Sequence, residues 1–449
     1  MKPLGLNELA RVLGGKARGE ADPTLTQVAI DGRRVEAGGL YVAIRGERFD
    51  GHDFIAQAAA SGAAAALVER DGDWPLPVCR VADCRRALGA LGRHNRRAVP
   101  ARVAAITGSN GKTTVKEMLA TILRRAGETL ATQGNLNNEL GVPLTLLRLD
   151  ERQDYAVIEM GASAGGDIAY LCALAEPEVG LVTNAGPAHL EGFGDLDGVA
   201  RGKGEMFAGI APSGTAVINA DDPYAPLWRE LAGSRRVLDF GLEQPDAAVR
   251  AEHDGQGWLL HTPCGSARLP QVLPGRHNVL NALAAGAAAL ALGVSLPDIV
   301  QGLAALQPTP GRLHWRVGRG GARLLDDSYN ANPVSLRAGL EVLAEQPGER
   351  WLVLGDMAEL GPGADAVHAE AGRLARQLGV QRLFSCGPRS ALAAESFGAG
   401  AQAFTDWQQA AVALAPQLNE GVCVLIKGSR SAGLDGLVGA LAQPEAEEV

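Results

Sequence analysis

Residues 103–114 (VAAITGSNGKTT) leave this chain few ways to fold. An apolar run of β type enters a glycine turn, and beyond Lys112 the apolar positions Val115, Met118, Leu119, Ile122 and Leu123 recur at helical spacing. Gly127 is expected to stop that helix. Strand, turn and helix N-terminus in this order aim successive backbone N–H groups and the positive helix end at one point, where a polyphosphate can sit. Gly108, Ser109, Asn110, Gly111, Thr113 and Thr114 would form the cradle. Lys112 would add a point charge for the terminal phosphates, and the Thr113 hydroxyl suits Mg²⁺. The pattern departs from GxxxxGK[ST], because Ile106 stands where the first glycine would be. A glycine-rich turn without a ligand is the plainer alternative, but it does not account for GKTT after such a run. The expectation is a nucleoside triphosphate site.

At 449 residues the chain has room for about three domains. Its composition is globular, 46% hydrophobic against 21% charged, and only residues 443–449 read as a disordered tail. A net charge of −9 argues against general nucleic-acid binding, which needs a basic footprint. Cys79, Cys84, Cys172, Cys264, Cys386 and Cys423 lack CxxC spacing, and several lie in apolar runs. They read as buried thiols of a reducing compartment, in preference to disulfides or zinc ligands. No apolar run reaches membrane-spanning length and no signal-peptide core opens the chain, so a cytoplasmic location is expected.

Taken in order, residues 1–83 read as a small α/β unit with strands at 40–44 and 63–68 and a helix at 54–60. Asp31, Arg33, Arg34, Arg48 and His52 fall in its turns, where binding residues concentrate and where a solvated surface role is an equal alternative. Residues 84–310 alternate strands with longer helices, the signature of a mainly parallel sheet. Ligands of such sheets gather at the carboxyl ends of the strands. Glu159, Asn184, His189 and Asp221 end or follow three apolar runs and are thereby drawn towards the edge that holds the phosphate loop. Glu159 is a Mg²⁺ candidate, with a helix-capping carboxylate as the alternative. His189 alone reads equally as a surface or packing residue, and Lys203, on a helix over 199–207, reads as an exposed lysine. Asn278 and Asn281 share one helix face; they suit a purine edge, or merely cap the helix near Gly275. After a proline hinge at 308–312, residues 311–449 form a second nucleotide-fold-like unit with strands at 323–326, 351–354, 382–385 and 422–426. Its polar loops at 327–333, 355–357 and 427–430 suggest a domain that closes over a shared cleft.

Together these segments resemble the Mur ligase family over essentially the whole chain. The similarity rests on 107–114 (TGSNGKTT), 134–141 (GNLNNELG), 159–161 (EMG), 183–186 (TNAG) with His189, 203–205 (KGE) and His277-Asn278 with Asn281. It continues through 327–333 (DSYNANP), 353–361 (VLGDMAELG) and 427–430 (KGSR), and the DSYNANP and GDMAELG segments are most similar to the dipeptide-adding members. The resemblance implies a three-domain α/β enzyme: a UDP-sugar-binding domain (1–83), a central phosphate-loop ATPase (84–310) and a C-terminal Rossmann-like domain admitting the amine (311–449). It implies ATP-dependent joining of D-alanyl-D-alanine to UDP-MurNAc-tripeptide through an acyl phosphate, in peptidoglycan precursor synthesis. Lys112, Glu159, His189 and Lys203 would be catalytic. Thr113 and Glu159 would hold one Mg²⁺, and His189 with a carbamylated Lys203 a second. Arg312 would approach the γ-phosphate, Asp327 the ribose and Tyr329 the nucleotide, with Asn278 and Asn281 near the adenine. Asp31, Arg33, Arg48, His52, Asn137, Asn138, Asn330, Asn332, Ser429 and Arg430 would contact the other substrates. Gly32 stands where the family has Ser or Thr, so one hydroxyl contact to the uridine nucleotide is missing. Neither nucleic acid nor membrane is an expected partner, and the enzyme is expected to act as a monomer. The alternatives are a Mur-type or folylpolyglutamate-synthase-like ligase adding a single amino acid, and, from another class, a nucleotide-dependent switch. The absence of an NKxD motif argues against a GTPase.

Overall fold

Alternation along the strand Arg102–Thr107 explains the middle of the molecule. Ala104 and Ile106 enter one core with the helices Lys112–Leu123 and Arg276–Ala291, while Val103 and Ala105 enter another with Asp167–Ala175 and Leu196–Gly209. A strand with helices on both faces must be apolar on both, which is why this run shows no polar alternation. In the computed structural model, which describes residues 1–271 and 273–443, the strand lies inside a nine-stranded sheet. Its parallel neighbours are Tyr155–Glu159 on one side and Val179–Val182 on the other. The chain winds outward first to one side and then to the other, so the phosphate loop leaves the sheet at a topological switch point.

Three strands at the far edge depart from the expected strand–helix alternation. Val249–His253, Trp258–Thr262 and Gly265–Leu269 pair antiparallel, because connections as short as Pro263-Cys264 cannot carry a crossover. The phosphate-loop helix also ends sooner than expected. It stops at Leu123, and the chain turns through Arg124 to Ala126 before Gly127 donates to the Leu123 carbonyl at 2.9 Å. Helix Leu296–Ala304 packs closely on it: a Cβ at Gly302 would lie 2.5 Å from the Ile122 Cα.

The N-terminal sheet has five strands, in the order Lys16–Arg18, Val78–Arg80, Ala63–Val68, Gly39–Val42, Val28–Ala29, parallel except at Lys16–Arg18. Its helix Ile55–Ser61 is preceded by a 3₁₀ turn over Gly51–Phe54. Helix Cys84–Arg97, capped by the Asp83 side chain, sends Cys84, Ala87, Leu88 and Leu91 into the core of this first sheet and also packs on the central helices Gly141–Leu146 and Asp167–Ala175. It is a buttress between the two sheets.

The C-terminal sheet runs His314–Val317, Arg323–Asp327, Val422–Lys427, Glu349–Gly355, Arg382–Cys386, Ala401–Phe404, parallel except for the first. The last strand in sequence inserts beside the second, which gathers the loops after Asp327, Gly355 and Lys427 at one edge. The six cysteines are free thiols; five are buried and Cys264 is exposed. Among the described residues no helix is long and apolar enough to cross a membrane. Of the tail expected over 443–449, Gln443 donates its N–H to Val317 O at 2.8 Å, and 444–449 lie outside the described residues.

Candidate active site

The phosphate loop is held from behind. Thr183 Oγ1 donates to the Asn110 carbonyl at 2.6 Å, Asn110 N donates to Asn184 Oδ1 at 3.0 Å, and Ser109 Oγ both donates to Gly186 O (3.0 Å) and accepts from Gly186 N (2.9 Å). Two glycines are obligatory for this packing. Gly108 has φ 141° and a Cβ there would sit 2.0 Å from Thr183 Oγ1; Gly111 has φ 82° and a Cβ would sit 2.6 Å from Asn281 Oδ1. Lys112, Thr113 and Thr114 open the helix, where the first N–H groups have no intrahelical acceptor. The Lys112 ammonium donates to Gly108 O (2.6 Å) and Ser109 O (3.2 Å), and burial lowers its pKa while Glu159 opposes the shift.

Glu159 ends its strand buried. Asn137 Nδ2 donates to its Oε1 at 2.9 Å and its N–H donates to Thr132 Oγ1 at 3.0 Å, yet Oε2 has no hydrogen-bond partner. The buried Lys116 lies 3.9 Å from that oxygen and donates to the Thr132 carbonyl at 2.8 Å. Lys203, which helical spacing left exposed, is 1% exposed. Gly202 and Gly204 permit this, since a Cβ would meet Phe193 Cε1 at 2.4 Å or Leu231 Cδ1 at 2.5 Å. The Lys203 ammonium donates to Ala162 O at 3.1 Å and stands 5.2 Å from the centre of the Phe193 ring. Burial, with Lys112 adding to it, brings its pKa down to about 7. His189 holds a left-handed φ of 54°, and its Nδ1 lies 3.1 Å from Glu359 Oε2; burial lowers its pKa and Glu359 opposes that.

The C-terminal unit reaches in with side chains. Arg312 Nη2 donates to Thr113 Oγ1 at 3.0 Å and its guanidinium lies 4.3 Å from the Tyr329 ring centre. Asn332 Nδ2 donates to Asn110 Oδ1 at 2.6 Å. Asp326, buried, accepts from Gly311 N at 2.9 Å and so fixes the turn that carries Arg312. Asp327 is half-buried in a pair with the buried Lys427, whose ammonium also donates to Asn330 O at 3.0 Å, and desolvation raises the Asp327 pKa while Lys427 opposes it. Non-glycine residues with positive φ are few, and His189, Leu313 (51°) and Glu359 (60°) all line the same space, so backbone strain is concentrated there.

That space is a cavity of about 710 Å³ between the central and C-terminal sheets. It is lined by Ser109 to Thr114, Asn137, Asn138, Glu159, His189, Lys203, Asn278, Asn281, Arg312, Asp327, Tyr329, Asn330 and Asn332. Gly108 lies behind it and meets the site through its carbonyl. The asparagine pair is partly spent: Asn278 Nδ2 donates to Pro274 O at 2.7 Å and its Oδ1 accepts from Asn281 at 3.0 Å, so Asn278 ties down the chain before the helix without capping a free N–H of its first turn. Arg430 stands at the rim, 5.7 Å from the Tyr329 ring, whereas Ser429 is buried behind it with its N–H on Asp356 O at 3.0 Å. The N-terminal candidates lie apart from this lining. Asp31 accepts from Arg33 at 2.9 and 2.8 Å, and Arg48 is exposed in its turn. The buried ring of His52 meets Asp50 Oδ1 at 2.6 Å and accepts from Glu69 N at 2.9 Å. With both nitrogens engaged it shapes the turn, and no ring nitrogen is left for a ligand. Lys116, Glu359, Lys427 and His277 were not singled out from sequence. His277, Glu359 and Lys427 stood inside quoted motifs without a role of their own, and for Lys116 the local signal was a lysine one turn after Lys112 on the same helix face.

Residues 106–289 match the Mur ligase middle domain, 311–430 the Mur ligase glutamate ligase domain, and 24–122 the Mur ligase family catalytic domain. The chain is 46% identical to the UDP-N-acetylmuramoyl-tripeptide–D-alanyl-D-alanine ligase of Escherichia coli, covering 97% of this chain and 98% of that protein. A crystal structure of MurF from Acinetobacter baumannii superposes with a TM-score of 0.90 at 38% identity, covering 98% of each chain. MurF from Thermotoga maritima, solved in complex with ADP, superposes with a TM-score of 0.81 at 29% identity, covering 92% of this chain and 96% of that one. With matches of this extent along almost the whole chain, it belongs to the Mur ligase family.

Proposed function

We propose that this cavity joins D-alanyl-D-alanine to UDP-MurNAc-tripeptide, using ATP and releasing ADP and phosphate. One observation carries the reading: a phosphate loop, a buried carboxylate oxygen of Glu159 that accepts no hydrogen bond, and a buried lysine of low pKa, Lys203, share one cavity. A carboxylate is a poor electrophile, so the terminal carboxylate oxygen attacks the γ-phosphorus and ADP leaves. The dipeptide's ammonium releases one proton to become the free amine, whose lone pair attacks the acyl carbon; phosphate departs with the bonding pair, and the nitrogen loses a second proton to leave the amide. Lys112 exchanges the loop carbonyls for phosphate oxygens, and Arg312, beside Thr113, adds positive charge where the phosphoryl group moves.

The residues present fit Mg²⁺. Glu159 Oε2 and the Thr113 hydroxyl are hard oxygen donors for one ion. His189 and Lys203 suit a second once the lysine carries a carbamate, since an ammonium would repel the metal. A lysine with a pKa of about 7 is neutral often enough to add CO₂. Bound Mg²⁺ would supply neutralisation of the phosphates and of the charge that develops during transfer.

In this reading residues 1–83 bind the UDP-sugar through Asp31, Arg33 and Arg48, 84–310 bind ATP, and 311–449 admit the dipeptide. Asp327, Tyr329, Asn278 and Asn281 serve the nucleotide; Asn137, Asn138, Asn330 and Arg430 serve the peptide, and Asn332, whose amide is spent on Asn110 and Ser335, joins the two units beside it. The enzyme works in the cytoplasm as a monomer. A phosphate-release assay tests it: phosphate is expected only when ATP, a UDP-MurNAc-tripeptide and the dipeptide are all present. Release with a single amino acid favours the other ligase reading, and release from ATP alone favours a switch.

A further inference from the structure

Five carboxylates line the cavity, and four are already committed. Glu159 is buried against Asn137 and Lys116, and Asp327 is half-buried against Lys427. Asp167 accepts from Ser163 N (2.8 Å) and Ala164 N (3.0 Å), and Glu139 pairs with Arg85 at 3.0 Å. Glu359 differs. Its side chain is 65% exposed and its partner is His189, 3.1 Å away across the cleft.

The position of Glu359 is built. Its φ of 60° is one that a residue with a side chain adopts only where its surroundings impose it. The buried His368 ties the loop down at both ends, accepting from Met357 N at 2.9 Å while its Nδ1 meets Ala364 O at 2.7 Å.

If the cavity is the ligase proposed above, on which this step rests, the incoming dipeptide arrives as a zwitterion. Its ammonium must come close to the acyl carbon, in a region where Lys112 and Arg312 concentrate positive charge and bound Mg²⁺ would add to it. A cation approaching that group is repelled unless an anion stands at the entrance. We propose that Glu359 is a binding and specificity residue for the dipeptide, its carboxylate receiving the ammonium at the His189 end of the cavity. The competing reading is that Glu359 only orients His189, as carboxylates orient metal-ligating imidazoles.

The two readings part in steady-state kinetics of the full chain carrying Glu359→Gln. Loss of a charged hydrogen-bond partner is expected to raise the dipeptide KM roughly 10- to 100-fold, with the KM values for ATP and UDP-MurNAc-tripeptide changed less than about twofold. Glu359→Asp should recover part of the loss. The dipeptide analogue with a hydroxyl in place of the amine is the charge-specific probe: wild type should bind the amine more tightly, and Glu359→Gln should erase that preference. Acyl phosphate formed without dipeptide, trapped as the hydroxamate by hydroxylamine, should stay at the wild-type level. An unchanged dipeptide KM overturns the inference. So does a parallel fall in hydroxamate yield or a raised Mg²⁺ requirement, which would assign Glu359 to His189. Wild-type enzyme that forms neither hydroxamate nor phosphate with all substrates present would instead sink the ligase reading and this inference with it.

Discussion

At the end of Arg102–Thr107 the central sheet offers the cavity its backbone, whereas the C-terminal sheet, at the ends of Arg323–Asp327 and Glu349–Gly355, offers side chains. The central floor is fixed by hydrogen bonds within its own unit, from Thr183, Asn184 and Gly186 to Ser109 and Asn110. The facing wall meets that floor through Arg312 on Thr113, Asn332 on Asn110 and Glu359 on His189. A floor held by its own sheet keeps its shape when the wall withdraws; a wall that meets it through side-chain contacts such as these can part from it to exchange substrates. Holding the nucleotide's phosphates should therefore depend on the floor, and turnover on both.

Substitutions that separate binding from turnover test this division. Lys203→Ala removes a candidate metal ligand without touching the phosphate loop, and ligation should fall by about a thousandfold or more. Calorimetric ADP affinity should stay near wild type, and small carboxylic acids should restore some turnover by occupying the vacated space. Loss of ADP binding in that variant would break the distinction. The same lysine sets a pH dependence. Its pKa falls from 10.5 to about 7, so it is ammonium below that value and neutral amine above it. Carbamate formation, followed by the ¹³C signal of labelled CO₂, should rise through pH 7, where an ordinary lysine would stay protonated to beyond pH 10. Arg312→Ala, on the wall, should lower kcat/KM for ATP by roughly a hundredfold, while ADP affinity changes little.

The floor was legible because its conformation is written locally. Gly108 and Gly111 have to be glycines, and the apolar residues after Lys112 need no distant partner to specify a helix. The C-terminal strands were legible for the same reason, but their order was not: nothing local says that Val422–Lys427 inserts beside Arg323–Asp327. Side-chain environments are less legible still. Lys203 looked exposed because its burial is made by Phe193 and Ala162, through two glycines that read as mere helix weakeners. His52 looked available because the Glu69 N–H that occupies its ring lies seventeen residues away. Glu359 sat unremarked in a recognisable motif, since its contact with His189 crosses between two sheets.

The smallest expected effect sharpens the comparison most, because Asn332 works on both sides of it. Its Oδ1 accepts from Ser335 N at 2.9 Å, capping helix Pro333–Ala344, while its Nδ2 donates to Asn110. Serine caps as well as asparagine but is too short to span the cleft. Asn332→Ser should therefore keep the melting temperature and lose only the contact between floor and wall, one neutral hydrogen bond of about 1 kcal/mol, or roughly fivefold in kcat/KM for ATP. Asn332→Ala removes the cap too, and should lose about a further 1 kcal/mol of stability in denaturant titration. If the serine variant destabilises the fold as much as alanine while leaving turnover untouched, Asn332 serves its own helix alone, and the wall touches the floor there without consequence for catalysis.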